Sequence, residues 1–104
     1  MEYIPLEDCK PKIIYRIASR NLSVGIYDPD SKGFVGPRSK FGDAFLFTEI
    51  HWDADPNYGT AKPLNEIGTL PEDIEYGSDE MLIYLIKLGR KLQEFTDEEL
   101  WEIC

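Results

Sequence analysis

Histidine and cysteine are almost missing from this chain: His51 stands alone, and the only cysteines are Cys9 and Cys104. Zinc sites draw on several nitrogen or sulfur ligands, and no CxxC pair exists, so neither structural zinc nor thiol-disulfide chemistry is expected. A segment long and apolar enough to span a bilayer, roughly 20 residues, is also lacking, which argues against a membrane partner. The start, MEYIPLEDCKP, carries acids where a secretory leader carries cations, so a soluble cytoplasmic protein with reduced thiols is expected. Cations are scarce overall, with 11 Lys and Arg against 20 Asp and Glu and a formal charge of −9. A phosphate backbone requires a cationic footprint, so direct binding of nucleic acid is not expected. Neither internal repeats nor low-complexity tracts interrupt the sequence.

What is present suits one globular domain spanning residues 1–104, at 42% hydrophobic and 12% aromatic residues. Residues 1–11 read as an irregular lead-in punctuated by Pro5 and Pro11. Lys12 to Ser19 and Leu22 to Tyr27 alternate β-branched and aromatic residues in the manner of strands. Asp28-Pro29-Asp30-Ser31-Lys32-Gly33 is a turn by chemistry, with Gly33 expected to take positive φ. Gly33 to Pro37 reads as a short edge strand, because Pro37 cannot donate to a central ladder. Ala44 to Trp52 is the most strand-like stretch. Asp53 to Pro71, rich in proline and glycine, reads as loop with one short strand near Thr60 to Lys62.

The pattern changes at Ser78, a good N-cap followed by Asp79 and Glu80, where a helix dipole favours anions. Met81, Leu82, Leu85, Ile86, Leu88, Leu92 and Phe95 then share one broad helical face, opposite Lys87, Arg90, Lys91 and Glu94. Thr96 and Glu99 form a capping-box pattern that predicts a short terminal helix bearing Leu100, Trp101 and Ile103. The expected fold is α+β: an antiparallel sheet of about four strands within residues 12–63, then helices within 78–103.

Three motifs invite a chemical reading. Glu49-x-His51-x-Asp53-x-Asp55 would line one strand face if the extended backbone continued past Trp52, as a site for a hard cation or a histidine–carboxylate proton relay. Asp28-x-Asp30-x-Lys32-Gly33 starts like a calcium loop but fails it, because Lys32 takes a ligand position and Ser39 stands where a bidentate acid belongs. Gly33, Phe34, Val35, Gly36 and Gly42 resemble a phosphate loop only superficially, since Asp43 follows Gly42 where lysine is required. A basic knuckle of Arg38 and Lys40 remains.

Charge distribution is the stronger signal. Cys9 to Leu22 holds Lys10, Lys12, Arg16 and Arg20 without an acid, whereas Leu64 to Ile86 holds Glu66, Glu72, Asp73, Glu75, Asp79 and Glu80 without a base. Ile83 falls on the polar side of the helix, and with Trp52, Tyr58 and Tyr76 it offers apolar anchors beside those acids. The leading expectation is therefore a non-catalytic, cofactor-free binding protein, inhibitor-like or immunity-like. It would mask a basic partner, such as a nuclease or other nucleic-acid enzyme, through Asp53, Asp55, Tyr58, Glu66, Glu72, Asp73, Glu75, Tyr76, Asp79, Glu80 and Ile83. The alternatives are a metal-dependent or histidine-assisted enzyme built on Glu49, His51, Asp53 and Asp55, and a structural subunit of a larger assembly.

Overall fold

The computed structural model describes residues 3–93. After a lead-in containing one 3-10 turn at Leu6–Asp8 come β1 (Ile13–Ala18), β2 (Val24–Asp28), β3 (Gly33–Lys40), β4 (Asp43–Ile50), β5 (Lys62–Thr69) and helix α1 (Asp79–Gln93). The strands form one sheet in the order β4-β3-β2-β1-β5, with every neighbouring pair antiparallel. The fold is thus α+β, with five strands where about four were expected. The terminal helix expected over Thr96 to Ile103 lies outside the described residues.

Alternation along the strands separates two apolar faces. Ile14, Val24 and Ile26 point to the outer face, where Met81 and Leu85 of α1 close over them, flanked by Val35, Leu46, Ile67, Leu88 and Leu92. Tyr15, Ile17, Tyr27, Phe34 and Ala61 form a second core on the inner face. The lead-in covers that core by inserting Ile4, Leu6 and Cys9. The sheet also curls. Ala61 N–H donates to the Ile50 carbonyl at 3.2 Å and Trp52 N–H to the Ala61 carbonyl at 3.2 Å, so the end of β4 meets the start of β5 through a parallel bridge at His51 and Ala61. The two outermost strands therefore touch at one corner, rolling the sheet around its inner core.

β5 is the element that sequence reading reduced to a fragment. Pro63, Asn65, Glu66 and Gly68 are poor strand residues, yet all pair with β1 because β5 lies at an edge and bulges twice. Ile14 and Tyr15 face Gly68 and Glu66, leaving Ile67 unpaired; Arg16 and Ile17 face Asn65 and Pro63, leaving Leu64 unpaired. Pro63 has no donor to lose and its carbonyl accepts the Ile4 N–H at 2.9 Å, which anchors the lead-in.

Two further expectations are corrected. β3 is interior and continues to Lys40, with Pro37 opposite Leu46. β2 pairs β3 only as far as Val35, so the missing N–H of Pro37 faces a side with no ladder. In the β2–β3 turn, positive φ belongs to Lys32 (55°) and not to Gly33. Gly33 is needed for close approach instead: a Cβ there would sit 2.6 Å from the Glu49 carbonyl oxygen on the neighbouring strand. At the start of α1 the Ser78 hydroxyl accepts the Met81 N–H at 3.2 Å, and Asp79 and Glu80 occupy the first turn, as the capping pattern predicted.

Candidate functional site

The Glu49–Asp55 row does not survive folding as a site. β4 ends at Ile50, and the chain turns at once, with Ala54 N–H donating to the His51 carbonyl at 2.9 Å. His51 is fully buried beside Phe34, their ring centroids 6.0 Å apart. Its Nε2 lies 2.8 Å from the Ile4 carbonyl, an acceptor, so Nε2 carries the proton. Its Nδ1 accepts the Asp53 N–H at 3.0 Å and so supplies the lone pair. Both ring nitrogens are thereby committed to the backbone, one fastening the lead-in and the other the 51–61 loop. Glu49, only 6% exposed, accepts from the side-chain amide of Asn21, which ties the β1–β2 turn to β4. Asp55 Oδ1 accepts the Asn57 N–H at 3.0 Å within its own loop. Among the described residues no group of three or more His, Cys, Asp or Glu side chains could hold a metal ion.

The acidic residues expected to contact a partner fall into two groups. Glu72, Asp73, Glu75 and Tyr76 occupy the exposed connection from β5 to α1, and Asp79 and Glu80 are exposed on the first helical turn. The β2–β3 turn joins them. Partial burial pushes the Tyr76 phenol up to about 12, and the charges of Asp28 and Asp30 add to the effect, so the turn lies within electrostatic reach of the phenol. Tyr76 is still 44% exposed. Asp28 and Asp30 were read only as turn residues, and Asp28 does close the turn: its Oδ1 accepts the Asp30 N–H at 3.2 Å and its Oδ2 the Ser31 hydroxyl at 3.0 Å. The available signal was topological, since a β2–β3 turn must lie at the sheet end where β5 delivers the chain to the helix.

Asp53 and Glu66 belong elsewhere, around Cys9. Burial pushes the Cys9 thiol up to about 11, with the charges of Asp8, Asp53 and Glu66 contributing in that order. A thiol so disfavoured as thiolate is a poor nucleophile. Tyr58 is exposed in the 51–61 loop, and Ile83 is exposed on α1. Trp52, 40% exposed, lies under Lys62 Nζ at 5.7 Å from its ring centroid. Among the described residues no ring contact joins Trp52, Tyr58 and Tyr76.

The opposite end of the molecule has the reverse character. β3 and β4 run on past the rest of the sheet as a hairpin arm closed by Lys40 and Asp43, with Phe41 (φ 54°) and Gly42 (φ 85°) between them. Two positive φ values define a type I′ turn, which suits Gly42 and strains Phe41. Arg38 covers the Phe47 ring at 4.7 Å, and Phe45 packs edge-on to Phe47 at 6.4 Å. A shallow groove of about 310 Å³ separates this arm from the late part of α1, lined by Ser23, Pro37, Ser39, Ala44, Gly89 and Arg90. It gathers no nucleophile–base pair. No family model, curated protein or solved structure matches this chain.

Proposed function

We propose that this chain is a small non-catalytic binding protein whose acidic end docks on, and masks, a basic protein surface of the kind found on nucleases and other nucleic-acid-processing enzymes. One observation carries the reading: acids from two separate segments share one end of the molecule, because the charges of Asp28 and Asp30 reach the Tyr76 phenol, and Glu72, Asp73, Glu75, Asp79 and Glu80 are exposed on the segment that carries Tyr76. The first α1 lysine, Lys87, is seven residues beyond Glu80, or about 10 Å up the helix, which is a screening length at moderate salt. Lys32 lies in the turn of Asp28 and Asp30, and Lys12 is joined through its carbonyl to the Leu70 N–H at 3.0 Å, so the end holds seven acids (Asp28, Asp30, Glu72, Asp73, Glu75, Asp79 and Glu80) against these two bases and keeps a net negative field. That field accelerates encounter with a cationic groove, and Tyr76 and Ile83 supply apolar area that excludes water once contact is made. Asp53 and Glu66, on the Cys9 side, extend the negative surface but not the anchor.

The test is capture from a native lysate by immobilised wild-type protein and by a Glu72→Gln, Asp73→Asn, Glu75→Gln variant. Recovery of a basic protein by the wild type and its loss with the variant supports the reading. A captured enzyme should also lose activity when this protein is added in excess. Equal recovery by both proteins, or a bound partner that is itself acidic, overturns it.

A further inference from the structure

We infer that the free edge of β4 pairs with β4 of a second copy of this chain, antiparallel and centred on Leu46, to give a two-fold dimer. Ladder geometry is the starting point. The two-residue turn makes Lys40–Asp43 a hydrogen-bonded pair, and the register alternates from there. Phe45 and Phe47 therefore exchange bonds with β3, while the N–H and C=O groups of Ala44, Leu46 and Thr48 point away from it. Nothing else among the described residues takes those groups up, and β4 has no neighbour but β3 until the Ile50 carbonyl accepts Ala61.

Exposed edges in natural proteins are blunted by lysine, proline, bulges or short length. β4 has no lysine, proline or bulge, and its only charges are Asp43 at the turn and the inward-facing, buried Glu49. The strand is eight residues long and regular, reads Asp-Ala-Phe-Leu-Phe-Thr-Glu-Ile, and has exposed positions at Ala44 and Thr48. Proline sits instead on β3, where it cannot protect this edge.

The free edge is self-complementary, and its length fixes the register. It is bounded by the turn at Gly42 on one side and by Ala61, docked on Ile50, on the other. Pairing centred on Leu46 sets Ala44 opposite Thr48 of the second copy and Leu46 opposite its counterpart, so every outward donor meets an outward acceptor. It also sets Phe45 opposite Phe47 of the second copy, and the reverse, extending the existing Phe45–Phe47 contact across the axis. A shift of two residues in either direction loses bonds and drives the strand end into the turn or into Ala61. Charge does not oppose this occupant as it would at the acidic end: between Gly36 and Thr48 each chain carries Arg38 and Lys40 against Asp43 alone. The register sets Asp43 opposite Glu49 of the second copy, but Glu49 is buried and held by its own Asn21, and the acidic ends remain apart and open. The strained, 93% exposed Phe41 then comes to the end of the second copy's strand, near Trp52.

Sedimentation velocity across a concentration series, combined with amide hydrogen exchange of the intact chain, tests this directly. The expected species has twice the 12.0 kDa chain mass, and the Ala44, Leu46 and Thr48 amides slow by about 10-fold or more as it forms. Ala44→Pro removes an outward donor at an exposed position without touching a β3 bond. By symmetry the loss occurs twice, so the dimer should weaken about 100-fold while the melting curve of the monomer stays cooperative. Leu46→Ala supplies a second variant whose weaker side-chain packing leaves the backbone pairing in place, so it should still dimerise. A monomer at high micromolar concentration would overturn the inference and leave the edge to a foreign strand. A dimer in which the three amides exchange freely would overturn it as well.

Discussion

Removing the His51 side chain tests whether the only imidazole of this protein is a fastening or a reagent. His51→Ala deletes a fully buried ring together with its bonds to the Ile4 carbonyl and the Asp53 N–H. Two hydrogen bonds at about 1 kcal/mol each, plus about 2 kcal/mol for the cavity beside Phe34, give a loss of about 4 kcal/mol. Against a typical stability of about 5–15 kcal/mol that is a severe effect but not always a lethal one. With an unfolding entropy of about 0.2 kcal/mol per kelvin for a chain of this size, Tm should fall by about 15–20 °C. Urea unfolding followed by tryptophan fluorescence reads the loss, and His51→Phe separates its parts. Phenylalanine restores volume and the Phe34 contact but leaves both backbone groups unpaired, so it should recover about half of the loss. Capture of a basic partner by His51→Ala, measured below its Tm, should persist. A stability loss under about 1 kcal/mol, or a folded variant that has lost all function, would refute the structural assignment.

Other parts of the structure make independent predictions. Phe41→Asn should stabilise the monomer by about 1 kcal/mol and raise Tm by about 4–5 °C, because asparagine accepts positive φ more readily than a bulky aromatic; an unchanged or lower Tm contradicts the turn assignment. In a Cys104→Ser background, Cys9 at pH 8 should be alkylated far more slowly than an ordinary thiol, its thiolate fraction being about 100-fold smaller with the thiol pushed up to about 11. Rapid modification would show that Cys9 is not covered as described. Tyr76 should ionise late in an alkaline titration read by tyrosinate absorbance, and Tyr76→Phe should remove a step near pH 12. Because its folded value is raised, its contribution to stability is complete below about pH 10 and vanishes as pH climbs through about 12; Asp28→Asn with Asp30→Asn should bring the step to lower pH.

The legible parts of the fold were those in which local chemistry and tertiary context agree. Alternation located β1 and β2, and the Ser78 cap located α1 within a residue; Ile83, read as lying on the polar side of the helix and marking a second contact, is 51% exposed. β5 was illegible because its strand character comes from β1 and not from its own residues: Pro63 and Gly68 signal loop unless an edge and two bulges accommodate them. Pro37 misled in the opposite direction, since β3 is interior where it meets β2 and free where the proline sits. The candidate site divided along the same lines. Charge runs singled out Glu72 to Glu80, which are exposed acids, but the addition of Asp28 and Asp30, and the diversion of Asp53 and Glu66 towards Cys9, depend on which loops share an end of the rolled sheet. The Glu49–Asp55 row failed because period-2 spacing carries meaning only while the backbone stays extended, and it turns at Trp52.

The central claim is that this protein acts by presenting the acidic surface around Tyr76 to a cationic partner. Calorimetric titration of the recovered partner at increasing salt, with wild type and with the Glu72→Gln, Asp73→Asn, Glu75→Gln variant, tests it most directly. Wild-type affinity should fall steeply with salt, and the variant should bind at least about 10-fold more weakly with a shallower salt dependence. Identical affinities and identical salt slopes for the two proteins would contradict the account.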